Sequence, residues 1–196
     1  GEDPDNIVIY YISDSGELVA VPNCVYDAET GAVTFTTTHF SVYAVGYNAV
    51  RFTDVSGWYA DSVDFVAARG IMNGVGADQF DPSGTLTRAM FVTILFRLSG
   101  DTDGYANAFS DVKSGEWYEN AVAWAAEYNI VSGIGNGRFA PENEVSREQL
   151  AVMLYRYAQH MGYDVSIGED TNILSYTDAS DIADYAYPAL QWACGA

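Results

Sequence analysis

The chain has 196 residues, with 27 Asp and Glu against 8 Lys and Arg, for a formal charge of −19. That length fits one or two domains, and 49% hydrophobic residues supply enough apolar surface for a core, which excludes wholesale disorder. The sign of the charge argues against a nucleic acid, itself a dense polyanion, and against adsorption to anionic membranes.

In chain order, residues 1–50 contain no Lys or Arg and read as strand and turn. Ile7 to Ile12 is a short apolar run ended by Ser13-Asp14-Ser15-Gly16, Leu18 to Val21 is stopped by Pro22, and Asp27 to Gly31 is a hairpin-type turn. Ala32 to Thr38 and Phe40 to Val45 are rich in β-branched and aromatic residues, the composition of strands. Four strands alone are marginal, so residues 1–49 are expected to be the C-terminal part of a larger β domain, with a sandwich as the model. Cys24 and Cys194 have neither metal spacing nor a disulfide framework. No apolar window of about 18 residues predicts a membrane-spanning helix. No basic and then apolar leader opens the chain, which is expected to be a piece of something longer.

From residue 51 the period turns helical and the sequence repeats, which is its most informative feature. Trp58-Tyr59 recurs 59 positions on as Trp117-Tyr118, Ile71 as Ile130, Gly74 as Gly133, Phe80-x-Pro82 as Phe139-x-Pro141, Arg88 as Arg147 and Leu95-x-Arg97 as Leu154-x-Arg156. Phe52-Thr53-Asp54-Val55 returns as Phe109-Ser110-Asp111-Val112, and a third lead starts at Tyr176-Thr177-Asp178-Ala179. Each copy reads helix, loop, helix. Val63, Val66 and Ala67 form one stripe, and Val122, Ala125 and Ala126 form its counterpart. Gly70 and Asn129 suit a left-handed helix end. Thr87 and Ser146 are good N-caps, and Ser146-Arg147-Glu148-Gln149 has the form of a capping box. Phe91, Ile94, Leu95 and Leu98, like Leu150, Met153, Leu154 and Tyr157, make a second stripe that one hairpin cannot bury alone.

These ordered motifs resemble the S-layer homology family. The lead, the Trp-Tyr pair, the loop Gly70-Ile71-Met72-Asn73-Gly74, Phe80-x-Pro82 and Thr87-Arg88-Ala89-Met90 all match its pattern, as do Asn129 to Gly133 and Ser146 to Gln149 in the second copy. Met90 and Gln149 replace the Glu of the family motif. The resemblance implies a mainly α fold, helix-loop-helix repeats in a pseudo-threefold bundle, here with a small antiparallel β segment at the N-terminus. Repeat 1 is expected at 50–106, repeat 2 at 107–165 and a truncated repeat 3 at 174–196. It further implies a secreted bacterial surface protein held at the cell wall or S-layer. Grooves between repeats would hold a secondary cell-wall polysaccharide bearing pyruvate ketals.

The residue chemistry points the same way. Arg88 and Arg147 follow N-caps, where free backbone N–H groups and the helix dipole favour an anion and a guanidinium offers a planar fork to a carboxylate. The ligand-binding candidates are therefore Arg88, Arg147, Thr87, Ser146, Trp58, Trp117, Gly74 and Gly133. The indoles would stack on sugar rings or pack under a loop, and the glycines would admit ligand or form plain turns. The other reading of the arginines is that they tie repeats together. Asp54 and Asp111 are expected to cap a helix or brace a loop, and Arg97 and Arg156 to be structural.

No catalysis, cofactor or metal is expected. His39 and His160 are the only histidines, and no nucleophile elbow, zinc spacing or phosphate loop is present. His39-Phe40-Ser41 is similar to the His-Phe-Ser site of self-cleaving ZU5-type domains, against the plainer reading of a strand with Ser41 facing out. The alternative function is protein–protein assembly, in an S-layer lattice or by docking, with self-association through the incomplete third repeat.

Overall fold

The computed structural model describes residues 3–37, 39–168 and 171–195. The chain divides into two compact units, residues 1–84 with 97–100 and residues 85–96 with 101–196.

In the first unit a single 3-10 turn, Pro4–Asn6, leads into β1 (Ile7–Ile12), followed by β2 (Leu18–Ala20), β3 (Val25–Asp27), β4 (Ala32–Thr34) and β5 (Val42–Tyr47). β1 is the centre of an antiparallel sheet of order β2-β1-β5, with Tyr11 opposite Val19 on one side and Tyr43 on the other. β3 and β4 form a separate hairpin. The Asp27 carboxylate closes its turn by accepting from the N–H of Glu29 at 2.8 Å and the hydroxyl of Thr30 at 2.8 Å. The run expected as a strand to Thr38 pairs only to Thr34. Beyond it the Asn23 side chain takes the place of a neighbouring strand, donating to Thr36 O at 3.0 Å and accepting from Thr36 N–H at 3.4 Å.

α1 (Ala60–Ala68) packs on this sheet. Val8, Ile9, Val21, Cys24 and Ala68 form one buried cluster, flanked by Tyr10, Tyr11, Val33, Phe35 and Tyr43. Arg69 closes the joint. Its buried guanidinium donates to the carbonyls of Asp5 at 2.7 Å, Cys24 at 2.9 Å, Ile7 at 3.1 Å and Phe65 at 3.1 Å. Backbone oxygens thus answer a charge that burial would otherwise make costly. The helix ends at Gly70, φ +67°, and the equivalent Asn129 in the second unit has φ +57°, the left-handed end that glycine and asparagine tolerate best.

The helices α2 (Arg88–Ser99), α3 (Glu119–Glu127), α4 (Arg147–His160) and α5 (Tyr187–Gly195) follow. In the second unit Trp124, Phe139, Ile130 and Val122 are fully buried, with Trp124 edge-on to Phe96 at 5.5 Å. α4 and α5 share a cluster of Ala151, Val152, Ala186 and Ala189. Glu148 fixes the approach to α5 by accepting from the Tyr185 hydroxyl at 2.8 Å and the Ala183 N–H at 3.4 Å.

The expected mainly α fold, with its pseudo-threefold bundle of repeats, is corrected. The described residues hold five α-helices, 33% of them are helical and 14% are in strands or bridges, and there are two small antiparallel sheets. The reason is local. α1 and α3 have only 9 residues each, and the glycine-bearing loops that follow them run without helix to Arg88 and Arg147. The fold is mixed α and β, with much irregular chain.

Candidate functional site

The loops of the two repeats are built alike. Asp54 accepts from the N–H groups of Phe80 at 2.8 Å and Asp81 at 2.7 Å, and Asp111 from those of Phe139 at 2.8 Å and Ala140 at 2.8 Å. Each aspartate therefore braces the Phe-x-Pro turn. The Phe80 N–H bond foremost holds the Asp54 carboxyl below its usual pKa. At Asp111 burial pushes upward, but the two N–H bonds and Arg138 bring the net result below the usual value. The lead phenylalanines pack on the same turns, Phe52 against Phe80 with ring centres at 5.3 Å and Phe109 against Phe139 at 5.5 Å. Gly74 and Gly133 lie beneath these rings. A Cβ would come within 2.6 Å of Phe52 Cε1 at Gly74, and within 2.6 Å of Arg138 O and 2.9 Å of Phe109 Cε1 at Gly133. Their side-chain-free surface is filled by protein.

The two N-caps form as their residue types suggest: Thr87 Oγ1 accepts from Met90 N–H at 3.2 Å and Ser146 Oγ from Gln149 N–H at 3.3 Å. The reciprocal half of the capping box is diverted, because Gln149 Oε1 accepts from Arg88 Nη1 at 3.3 Å.

The two arginines occupy different environments. Arg88 is 4% exposed. It donates from Nε to Phe139 O at 3.0 Å and from Nη2 to Ser132 O at 3.0 Å, with its guanidinium carbon 4.6 Å from the Phe139 ring centre. Burial lowers its pKa, against the opposing pull of Tyr185 and Asp111. No carboxylate pairs with it among the described residues. It reaches from the second helix of one copy into the loop and turn of the next. Arg147 is exposed, its guanidinium makes no hydrogen bond or ion pair among the described residues, and it lines a cleft of about 410 Å³ with Ser146, Glu148, Tyr176, Asp178 and Asp181. Three carboxylates thus share the cleft of one guanidinium. Arg97 donates to Ile71 O at 3.2 Å and Arg156 to Ser132 Oγ at 3.3 Å, both bonds to loop atoms.

The tryptophans of the repeats point to water. Trp58 is 92% exposed and Trp117 is 58% exposed. Each stands edge-on to the tyrosine that follows it, at 5.6 Å for Tyr59 and 5.1 Å for Tyr118. Burying an aromatic side chain is worth about 1.5–3 kcal/mol. An indole left out of the core at the same place in two copies is therefore available for contact. The sequence named these tryptophans but missed the tyrosines as their supports, although adjacency in both copies was the available signal.

At the remaining candidate, Ser41 Oγ lies 2.9 Å from His39 Nδ1. The hydroxyls of Thr37 and Tyr43 donate to the carbonyl of His39, at 3.0 and 3.1 Å. Among the described residues none reaches the carbonyl of Phe40, the group a Ser41 attack would charge. Thr38, the end of the run expected as a strand from Ala32, lies outside the described residues. Cys24 and Cys194 are free thiols, no His, Cys, Asp or Glu cluster of metal-holding size occurs among the described residues, and no described helix is long and apolar enough to cross a membrane.

Residues 51–90 and 108–151 match the model of the S-layer homology domain. The chain is similar to an amylopullulanase of Thermoanaerobacterium thermosulfurigenes, 34% identical over 94% of this chain and 10% of that protein. It is also similar to a surface-layer 125 kDa protein of Lysinibacillus sphaericus, 28% identical over 71% of this chain and 11% of that protein. A surface layer protein of Brevibacillus choshinensis is 30% identical over 54% of this chain and 10% of its own length. The chain thus spans about a tenth of each of these relatives.

Proposed function

The chain belongs through its two repeats to the S-layer homology family, whose domains are non-catalytic anchoring segments of cell-surface proteins, and from that premise we propose that it holds a larger protein on the cell by binding a secondary cell-wall polysaccharide, one bearing pyruvate ketals. The observation that carries this reading is the outward Trp58 and Trp117 pair. An indole face is apolar and flat and suits the C–H face of a pyranose, while its N–H remains a donor for a hydroxyl. Neither guanidinium carries the reading. Arg88 is enclosed by protein acceptors, and Arg147 shares its cleft with Glu148, Asp178 and Asp181.

The test is retention of the purified chain on isolated wall polysaccharide, compared with peptidoglycan stripped of it. Retention on the polysaccharide alone supports anchoring. Equal retention on both, or on neither, contradicts it and favours assembly between proteins.

A further inference from the structure

The chain holds two Asp-Pro bonds, Asp3-Pro4 and Asp81-Pro82, and the structure treats them differently. In such a pair the carboxylate can close on its own carbonyl carbon, and the proline nitrogen, a tertiary amide, leaves as an amine once protonated. Asp3 precedes its proline in extended backbone, φ −73° and ψ 121°, and its carboxylate is occupied by the N–H of Asp5 at 3.1 Å. Asp81 is exposed, and its φ is +58°. That left-handed conformation crowds a side chain, at a position where the following proline ring favours extended backbone. The Phe-x-Pro turn holds it there, with Asp54 Oδ2 accepting the Asp81 N–H at 2.7 Å. The Asp81 carbonyl accepts from Gly84 N–H at 3.0 Å, a donor placed where charge would develop on attack. The Asp81 carboxylate makes no hydrogen bond or ion pair among the described residues. It lies on the same side of the turn as its carbonyl, since a Cβ at Gly84 would come within 2.8 Å of Asp81 Cγ and 3.2 Å of Asp81 O. Ala140, the counterpart in repeat 2, has the same conformation, φ +60°. It also has the same bonds, its N–H to Asp111 at 2.8 Å and its carbonyl from Asn143 N–H at 3.2 Å, but it has no carboxyl and is buried. The turn therefore needs this conformation and not the Asp81 side chain.

We propose that Asp81-Pro82 is a self-cleavage site, at which the native turn promotes acid-driven scission of the chain inside repeat 1. An Asp81 carboxylate oxygen attacks the Asp81 carbonyl carbon and forms a C–O bond. The C–N bond to Pro82 breaks, and its electron pair stays on the proline nitrogen. That nitrogen takes a proton from hydronium and leaves as a secondary amine. Water then opens the cyclic anhydride, restoring the side-chain carboxyl and leaving a new C-terminal carboxyl on Asp81. Nothing is oxidised or reduced, and acid and water are the only co-reactants. Gly84 N–H steadies the oxyanion, and scission relieves the crowding of a left-handed residue before a proline. The cut separates α1 from α2, so a surface protein carrying these repeats would be parted within repeat 1 in acidic surroundings. None of this depends on what the repeats bind.

The experiment incubates the whole chain below its melting temperature at about pH 5, where the aspartate braces persist, and follows fragments by intact mass. A fragment ending at Asp81 and one starting at Pro82 are expected. They should form at least about tenfold faster than the products of Asp3-Pro4, the equivalent of about 1.4 kcal/mol in barrier. They should also form at least about tenfold faster than in the same chain unfolded by urea at that pH. Asp81→Ala should abolish the cut with the circular dichroism unchanged, because Ala140 already holds this conformation with alanine. Asp81→Glu, which must close a larger ring, should slow it. Equal rates at the two Asp-Pro bonds, equal rates in folded and urea-unfolded chain, no cut at all, or a cut that survives Asp81→Ala each overturn the proposal.

Discussion

At the scale of the residue, the same side chain does different work according to what surrounds it. Arg88 and Arg147 are equivalent in sequence, yet one is enclosed and the other open. Removing the Arg88 guanidinium leaves the carbonyls of Phe139 and Ser132 without donors, so Arg88→Met should cost about 2–3 kcal/mol, read as a lower denaturant midpoint. Lysine should not rescue it, because a single ammonium cannot reproduce a fork that spans two carbonyls. The braces Asp54 and Asp111 give a pH signature. Their carboxyls lie below the usual value when folded, so their stabilisation is present above the unfolded pKa, near 4, and is lost as pH falls through the folded one. Asp111→Asn should therefore lower Tm at neutral pH by roughly 2–4 °C. The gap to wild type should close in melts taken below about pH 4.

At the scale of the element, what local chemistry decides is legible in the sequence and what distant backbone decides is not. β1, the apolar stripes, the caps at Thr87 and Ser146 and the left-handed ends at Gly70 and Asn129 follow from composition, period and residue type. β3 escapes because three residues make no pattern, and β4 stops early because Asn23 replaces a strand partner. The burial of Arg88 is invisible because its acceptors are main-chain oxygens 44 and 51 residues away, which no side-chain spacing records. The role of Gly74 and Gly133 likewise emerges only from the rings above them. Gly133→Ala should destabilise the second repeat by about 1–3 kcal/mol, because Arg138 O and the Phe109 ring must both retreat, and amide exchange in the 133–141 loop should quicken. If the loop instead kept its exchange rates, the close packing described for it would be wrong.

At the scale of the whole molecule, the proposed function would bring a charge of −19 to an acidic polymer. At physiological salt the Debye length is about 8 Å, so distant acids are largely screened and contact at the indoles decides. Added salt should therefore leave retention on the polysaccharide unchanged or raise it, the reverse of a basic protein on a polyanion. Steep loss of binding between low and physiological salt would mean that cations, not ring faces, hold the polymer. The most direct measurement is the affinity for isolated wall polysaccharide of the chain carrying Trp58→Ala and Trp117→Ala together, with its melting curve recorded alongside. Because both side chains stand outside the core, the melting curve should stay where it is while affinity falls at least about tenfold, the equivalent of 1.4 kcal/mol. Undiminished affinity in a folded double variant would contradict the account.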